Sequence, residues 1–177
     1  MADLLANIVP IKEILDNEKS VLIIPSYQRP YVWEQENVYQ LLNDINTYRN
    51  ANKKKYLIGS LILFNDEKKP SEMEIIDGQQ RITTLSLIHQ IICQDKTLQS
   101  NQLLSYNHEE SFTNIAKNYK AIETWVSQHI GDDNDKKLAF WNYIYECCYM
   151  VKIVVYELGE AFQMFDTQNG RGKPLLP

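Results

Sequence analysis

Glu74-Ile75-Ile76-Asp77-Gly78-Gln79-Gln80-Arg81-Ile82-Thr83-Thr84-Leu85 reads as a strand that runs through one tight turn straight into a helix. From Gln79 the pattern takes up helical spacing: Ile82, Leu85, Ile88 and Ile92 share one face, and Leu87 and Ile91 widen it. Upstream, residues 56–64 (YLIGSLILF) are apolar on both alternating faces, as an interior strand requires, and Gly59 within them marks a bulge or a close backbone approach. Residues 65–71, with Asp66, Lys68, Lys69 and Pro70, are a turn, and residues 73–76 return as the partner strand. A hairpin feeding a helix is the simplest local fold.

Outward from this unit, residues 21–24 form a short strand stopped by Pro25, and an IKEIL turn of helix precedes them. Val38, Leu41, Leu42, Ile45 and Tyr48 place one apolar stripe on a helix over residues 34–50. Phe112, Ile115, Ala116, Tyr119, Ile122 and Val126 define another, and Leu138, Trp141, Tyr145 and Cys148 a further one after a GDDND break. Residues 95–108 are polar and weakly patterned, a loop; residues 151–156 (VKIVVY) are a strand; residues 160–168 are a short helix ended by Asn169-Gly170. The irregular spacing and the hairpin predict an α+β fold rather than a doubly wound parallel sheet.

At 177 residues the expectation is a single domain over 1–177. A 44% apolar and 23% charged composition excludes wholesale disorder, and no apolar run is long enough for a membrane helix. With no signal peptide evident, the expected address is cytoplasmic. Three cysteines, two of them adjacent, suit a reducing compartment and lack metal-ligand spacing. A net charge of −5 argues against a broad nucleic-acid surface, so any anion site must be local.

Three polar clusters do not read as core. In the turn above, Asp77 is suited to cap the helix and Gln80 to reach back to its amide. Gln79, Arg81, Thr83 and Thr84 exceed that need, and Arg81 beside a helix N-terminus would complete a phosphate seat. In Pro25-Ser26-Tyr27-Gln28-Arg29-Pro30-Tyr31-Val32-Trp33, aromatics and Arg29 are held extended between prolines, either to grip a base or phosphate or to pack on the next helix. Phe165-Asp166-Thr167-Gln168-Asn169-Gly170-Arg171-Gly172 is a helix end, or a loop whose backbone approaches a ligand.

Together these segments resemble the N-terminal domain of GmrSD-type restriction endonucleases. The likeness rests on Pro25-x-Tyr27-Gln28-Arg29-x-Tyr31-x-Trp33, Gly59-Ser60, Ile76-Asp77-Gly78-Gln79-Gln80-Arg81-x-Thr83-Thr84-Leu85 and Phe165-x-x-x-Asn169-x-Arg171-Gly172-x-x-Leu175, which occur in that order and span nearly the whole chain. The resemblance implies a ParB/sulfiredoxin-like small mixed sheet surrounded by helices. It also implies a nucleotide-binding, NTP-hydrolysing regulatory domain of a prokaryotic anti-phage system directed at modified DNA, associated with an HNH-type nuclease domain in cis or in trans. The chain is then a fragment of, or a partner to, a longer nuclease protein. None of its three histidines lies in a nuclease setting, so no nuclease activity is expected of this chain alone.

By the same likeness Asp77, Gln79, Gln80 and Arg81 form the catalytic motif. Tyr27, Gln28, Arg29, Gly78, Thr83, Thr84, Asn169 and Arg171 would bind nucleotide and phosphate, with Asp77 holding Mg²⁺ through water. There is no P-loop signature. The competing expectation is a module that senses DNA or docks a partner without hydrolysis, and self-association into a homo-oligomer is compatible with either.

Overall fold

The structure, a computed structural model, describes residues 5–94 and 105–170, with side chains through residue 168. Five strands, β1 (Leu5–Pro10), β2 (Val21–Ile23), β3 (Tyr56–Phe64), β4 (Glu72–Asp77) and β5 (Cys148–Val155), form one mixed sheet in the order β1-β5-β3-β4-β2. Six helices are described: α1 (Ile11–Leu15), α2 (Gln35–Asn50), α3 (Gln79–Cys93), α4 (Glu109–His129), α5 (Asn134–Cys147) and α6 (Leu158–Gly170). The α+β expectation holds.

β3 is apolar on both faces because it is the central strand. It pairs antiparallel with β4, which is the expected hairpin, and parallel with β5. Leu61 and Leu63 point into a large core built with α1 to α5, where Leu42, Ile45, Leu85, Ile122, Phe140 and Ile144 are wholly buried. Ile62 points the other way, into a smaller cluster with Ile76, Ile153, Val155 and Ala161 that α6 covers. The pairing of β3 with β5 is interrupted by an irregularity between Leu57 and Gly59, the bulge that the glycine signalled.

Four assignments differ from the sequence reading. On α4, Phe112 and Ala116 of the expected stripe are exposed, and α6 runs on through Asn169-Gly170 instead of stopping before them. β5 begins at Cys148, because its pairing continues back to Tyr56, so Cys148 belongs to the sheet rather than to the preceding helix. On α5 the buried face is Phe140, Trp141 and Ile144, whereas Leu138 is exposed. The expected loop over 95–108 lies mostly outside the described residues. Among those described, no helix is long and apolar enough to cross a membrane.

Candidate functional site

The turn between β4 and α3 differs in one decisive way from the capped helix start expected of it. Asp77 still pairs with Ile62 as the last residue of β4, so it cannot turn its side chain onto the helix. The cap position falls to Gly78, at φ +96° in the left-handed region, and no side chain caps α3. Glycine is required twice over here. The conformation disfavours any Cβ, and an added Cβ would lie 2.8 Å from the Ser60 carbonyl oxygen of β3. This close approach presses an uncapped helix N-terminus, with its unsatisfied N–H groups and positive dipole end, against the middle of the sheet.

Gln80, the expected back-capping residue, faces the opposite way. Its Oε1 accepts from the backbone N–H groups of Val32 (2.9 Å) and Trp33 (3.1 Å), and its Nε2 donates to the Pro30 carbonyl at 3.0 Å. Gln28 completes the seam by donating through Nε2 to the Ile75 and Ile76 carbonyls at 2.8 and 2.9 Å. The proline-bounded segment 24–33 is thus fastened along β4 and the start of α3 by side-chain amides.

A cleft of about 260 Å³ opens where these pieces meet. Gln28, Arg29 and Trp33 line it from the segment, Asp77 to Arg81 from the turn, Ser60 from β3, and Phe165 and Gln168 from α6. Gln79 is buried, and its Nε2 donates to the Arg29 carbonyl (2.7 Å) and the Tyr106 hydroxyl (3.1 Å). With both amide hydrogens committed, its Oε1 is left as a buried acceptor without a protein partner. Arg81 is half-buried and lies over Gly59, where an added Cβ would stand 3.0 Å from its Cζ. A side chain at position 59 would occupy the space of the guanidinium. Arg29 reaches the cleft from its exposed rim.

Other expected site residues stand elsewhere. Tyr27 is exposed, donates to Glu74 Oε2 at 2.8 Å and meets Phe162 edge-on, outside the cleft lining. Partial desolvation of its hydroxyl, then its bond to Glu74 and that carboxylate's charge, hold the hydroxyl well above the usual tyrosine range although the ring is half-exposed. Thr83 and Thr84 are fully buried on the inner side of α3, Thr83 on Tyr106 (2.7 Å) and Thr84 on Tyr31 (2.8 Å). The Asn169 side chain and Arg171 lie outside the described residues.

Sequence reasoning did not place Ser60, Gln168 or Tyr106 at the site. Ser60 donates to Gln168 Oε1 at 3.1 Å, joining β3 to the α6 wall. Gly59-Ser60 stands in the family pattern, but no site role followed for Ser60 from sequence. Tyr106 supports Gln79 from a stretch with no periodicity to reveal it.

A family model for the GmrSD restriction endonuclease N-terminal domain matches residues 11–177. The chain belongs to that family. No curated protein matches the chain. As a GmrSD N-terminal domain, it is part of a restriction endonuclease system, and its strand-turn-helix cleft lies within the matched region. Among the described residues no group of three His, Cys, Asp or Glu side chains could hold a metal ion, and Asp77 is the single carboxylate among the residues that line the cleft.

Proposed function

We propose that the cleft binds a nucleoside triphosphate by its phosphates and hydrolyses it, and that the chain acts as one regulatory domain of a restriction system directed at modified DNA, working in the cytoplasm beside an HNH-type nuclease domain in cis or in trans. One observation carries this reading. Arg29 and Gln79 are 50 residues apart in sequence, yet they are hydrogen-bonded at the lip of a cleft that also holds Arg81, Asp77 and the uncapped start of α3.

Phosphoryl transfer needs positioning and charge stabilisation more than covalent chemistry from the protein. In this reading Arg81 and Arg29 neutralise phosphate charge and the first N–H groups of α3 bind phosphoryl oxygens. Gln79 Oε1, fixed by the two bonds of its own amide nitrogen, accepts a hydrogen bond from the attacking water and orients it, and the water's proton leaves with the phosphate product. Water adds to the terminal phosphorus, the bond to the bridging oxygen breaks, and nucleoside diphosphate and inorganic phosphate leave. Gln80 acts as a positioning residue, because its amide already holds residues 30–33. One carboxylate fits Mg²⁺ only as an ion carried in by the phosphates, with Asp77 holding it through water, and such an ion would supply further neutralisation.

The test is Arg81→Ala in the full chain, with Mg·NTP binding by calorimetry and phosphate release as readouts. Binding should weaken at least tenfold and release should fall to background. A folded variant with both unchanged would overturn the proposal. Binding of modified DNA with no phosphate release from the native chain would replace it with a DNA-sensing module, and binding of neither ligand with a partner-docking one.

A further inference from the structure

A second, larger groove runs between the start of α2 and the outer face of α4, with a volume of about 560 Å³. Trp33 lines both it and the phosphate-sized cleft. Resting on the nucleotide reading above, we propose that this groove holds the nucleoside half of the ligand, with the Trp33 indole as the wall between base and phosphates.

The division of chemistry supports this. The cleft concentrates guanidinium, carboxylate and amide groups. The groove carries Glu34, Glu36, Lys117 and Lys120, and beside them it offers the rings of Trp33 and Tyr39, the hydroxyl of Thr124 and the amide of Asn118, a set suited to a flat heterocycle with polar edges. Trp33 is fixed at its root: its N–H is held by Gln80 Oε1, and its carbonyl accepts from Asn118 Nδ2 at 2.7 Å. Asn118 gives its second amide contact to the Tyr31 hydroxyl at 3.0 Å, so what it presents to the groove is an acceptor oxygen.

The rim decides between a base and a nucleic-acid strand. Lys117 and Lys120 on α4 face Glu34 and Glu36 at the start of α2, with no ion pair formed by any of them among the described residues. Two cations and two anions give no net attraction for a polyanion, and a strand would carry its phosphates past both glutamates. A neutral base meets no such penalty.

The experiment separates base from phosphate. Calorimetry on the full chain compares Mg·tripolyphosphate, which has no base, with each Mg·NTP, for the native protein and for Thr124→Trp. Thr124 is exposed on α4, so the indole fills the groove without entering the core. The expected result is an NTP affinity reduced about tenfold with tripolyphosphate binding unchanged. Lys120→Trp provides a second blocked groove should the first variant fold poorly. Equal binding of NTP and tripolyphosphate by the native chain, or NTP binding indifferent to both variants, overturns the subsite while leaving the phosphate cleft standing. Absence of binding by either ligand overturns the nucleotide reading itself, and the subsite with it.

Discussion

Gln79 and Gln80 are neighbours of identical chemistry with opposite fates. Gln80 satisfies three backbone groups of another segment, whereas Gln79 keeps one acceptor unanswered. Gln80→Ala should therefore act on stability, leaving the Val32 and Trp33 N–H groups and the Pro30 carbonyl to find other partners. A loss of about 2–4 kcal/mol is expected in urea denaturation. A loss under 0.5 kcal/mol would mean the brace does not hold the segment. Gly59→Ala probes the opposite quality. Its methyl would collide with the Arg81 guanidinium, a movable side-chain end, and would strain a backbone at φ +156°, so the fold should survive at a cost of about 1–3 kcal/mol while phosphate binding weakens. Native affinity in that variant would show that Arg81 does not bind from the position over Gly59.

At the scale of elements, segment 24–33 is held to two helices by directed hydrogen bonds. Thr84 Oγ1 donates to the Gln80 carbonyl (2.8 Å), so the Tyr31 hydroxyl must donate to Thr84 while accepting from Asn118 Nδ2. Tyr31→Phe removes the middle link in a fully buried site and should cost about 1–3 kcal/mol, read as a lower urea midpoint with unchanged slope. Ser111 and Asn114 of α4 add bonds to the Tyr31 backbone at 2.9 and 3.0 Å. Much of this architecture was legible beforehand. The doubly apolar run of β3, the hairpin and the stripes of α2 and α3 depend on burial periodicity, which sequence displays directly. The brace was not legible, because an amide that caps its own helix and one that fastens a distant backbone look identical in sequence. The capping role expected of Asp77 failed for a related reason: ladder pairing to Ile62 overrode local capping preference. The convergence of residues 28–29, 77–81 and the 165–172 segment was suggested by shared polar excess, although that segment reaches the cleft through Phe165 and Gln168, and Tyr106 depends on tertiary placement alone.

Across the whole molecule, buried hydroxyl and thiol groups set a limit at high pH. Burial is the largest cause raising Tyr106, to about 12, against hydrogen bonds from Thr83 and Gln79 that lower it. It also raises Tyr31, and it pushes the Cys148 thiol up to about 12 from 9.0. These acids stay protonated longer in the folded state than in the unfolded one. Their stabilisation is therefore complete below the unfolded values and is lost as pH climbs toward the folded ones. The melting temperature should hold from pH 7 to about 9 and fall through pH 12, with a shallower fall in Tyr106→Phe. A flat profile to pH 12 would contradict the burial of these groups.

Cys148 carries one consequence beyond pH. It is wholly buried where β5 starts beside Tyr56, while Cys93 and Cys147 are half-exposed. An alkylating reagent must reach the sulfur that attacks it, so the two outer sulfurs will be consumed first. The inner one will wait for the sheet to breathe, and its labelling half-life is a built-in clock for how often the centre of this protein comes apart.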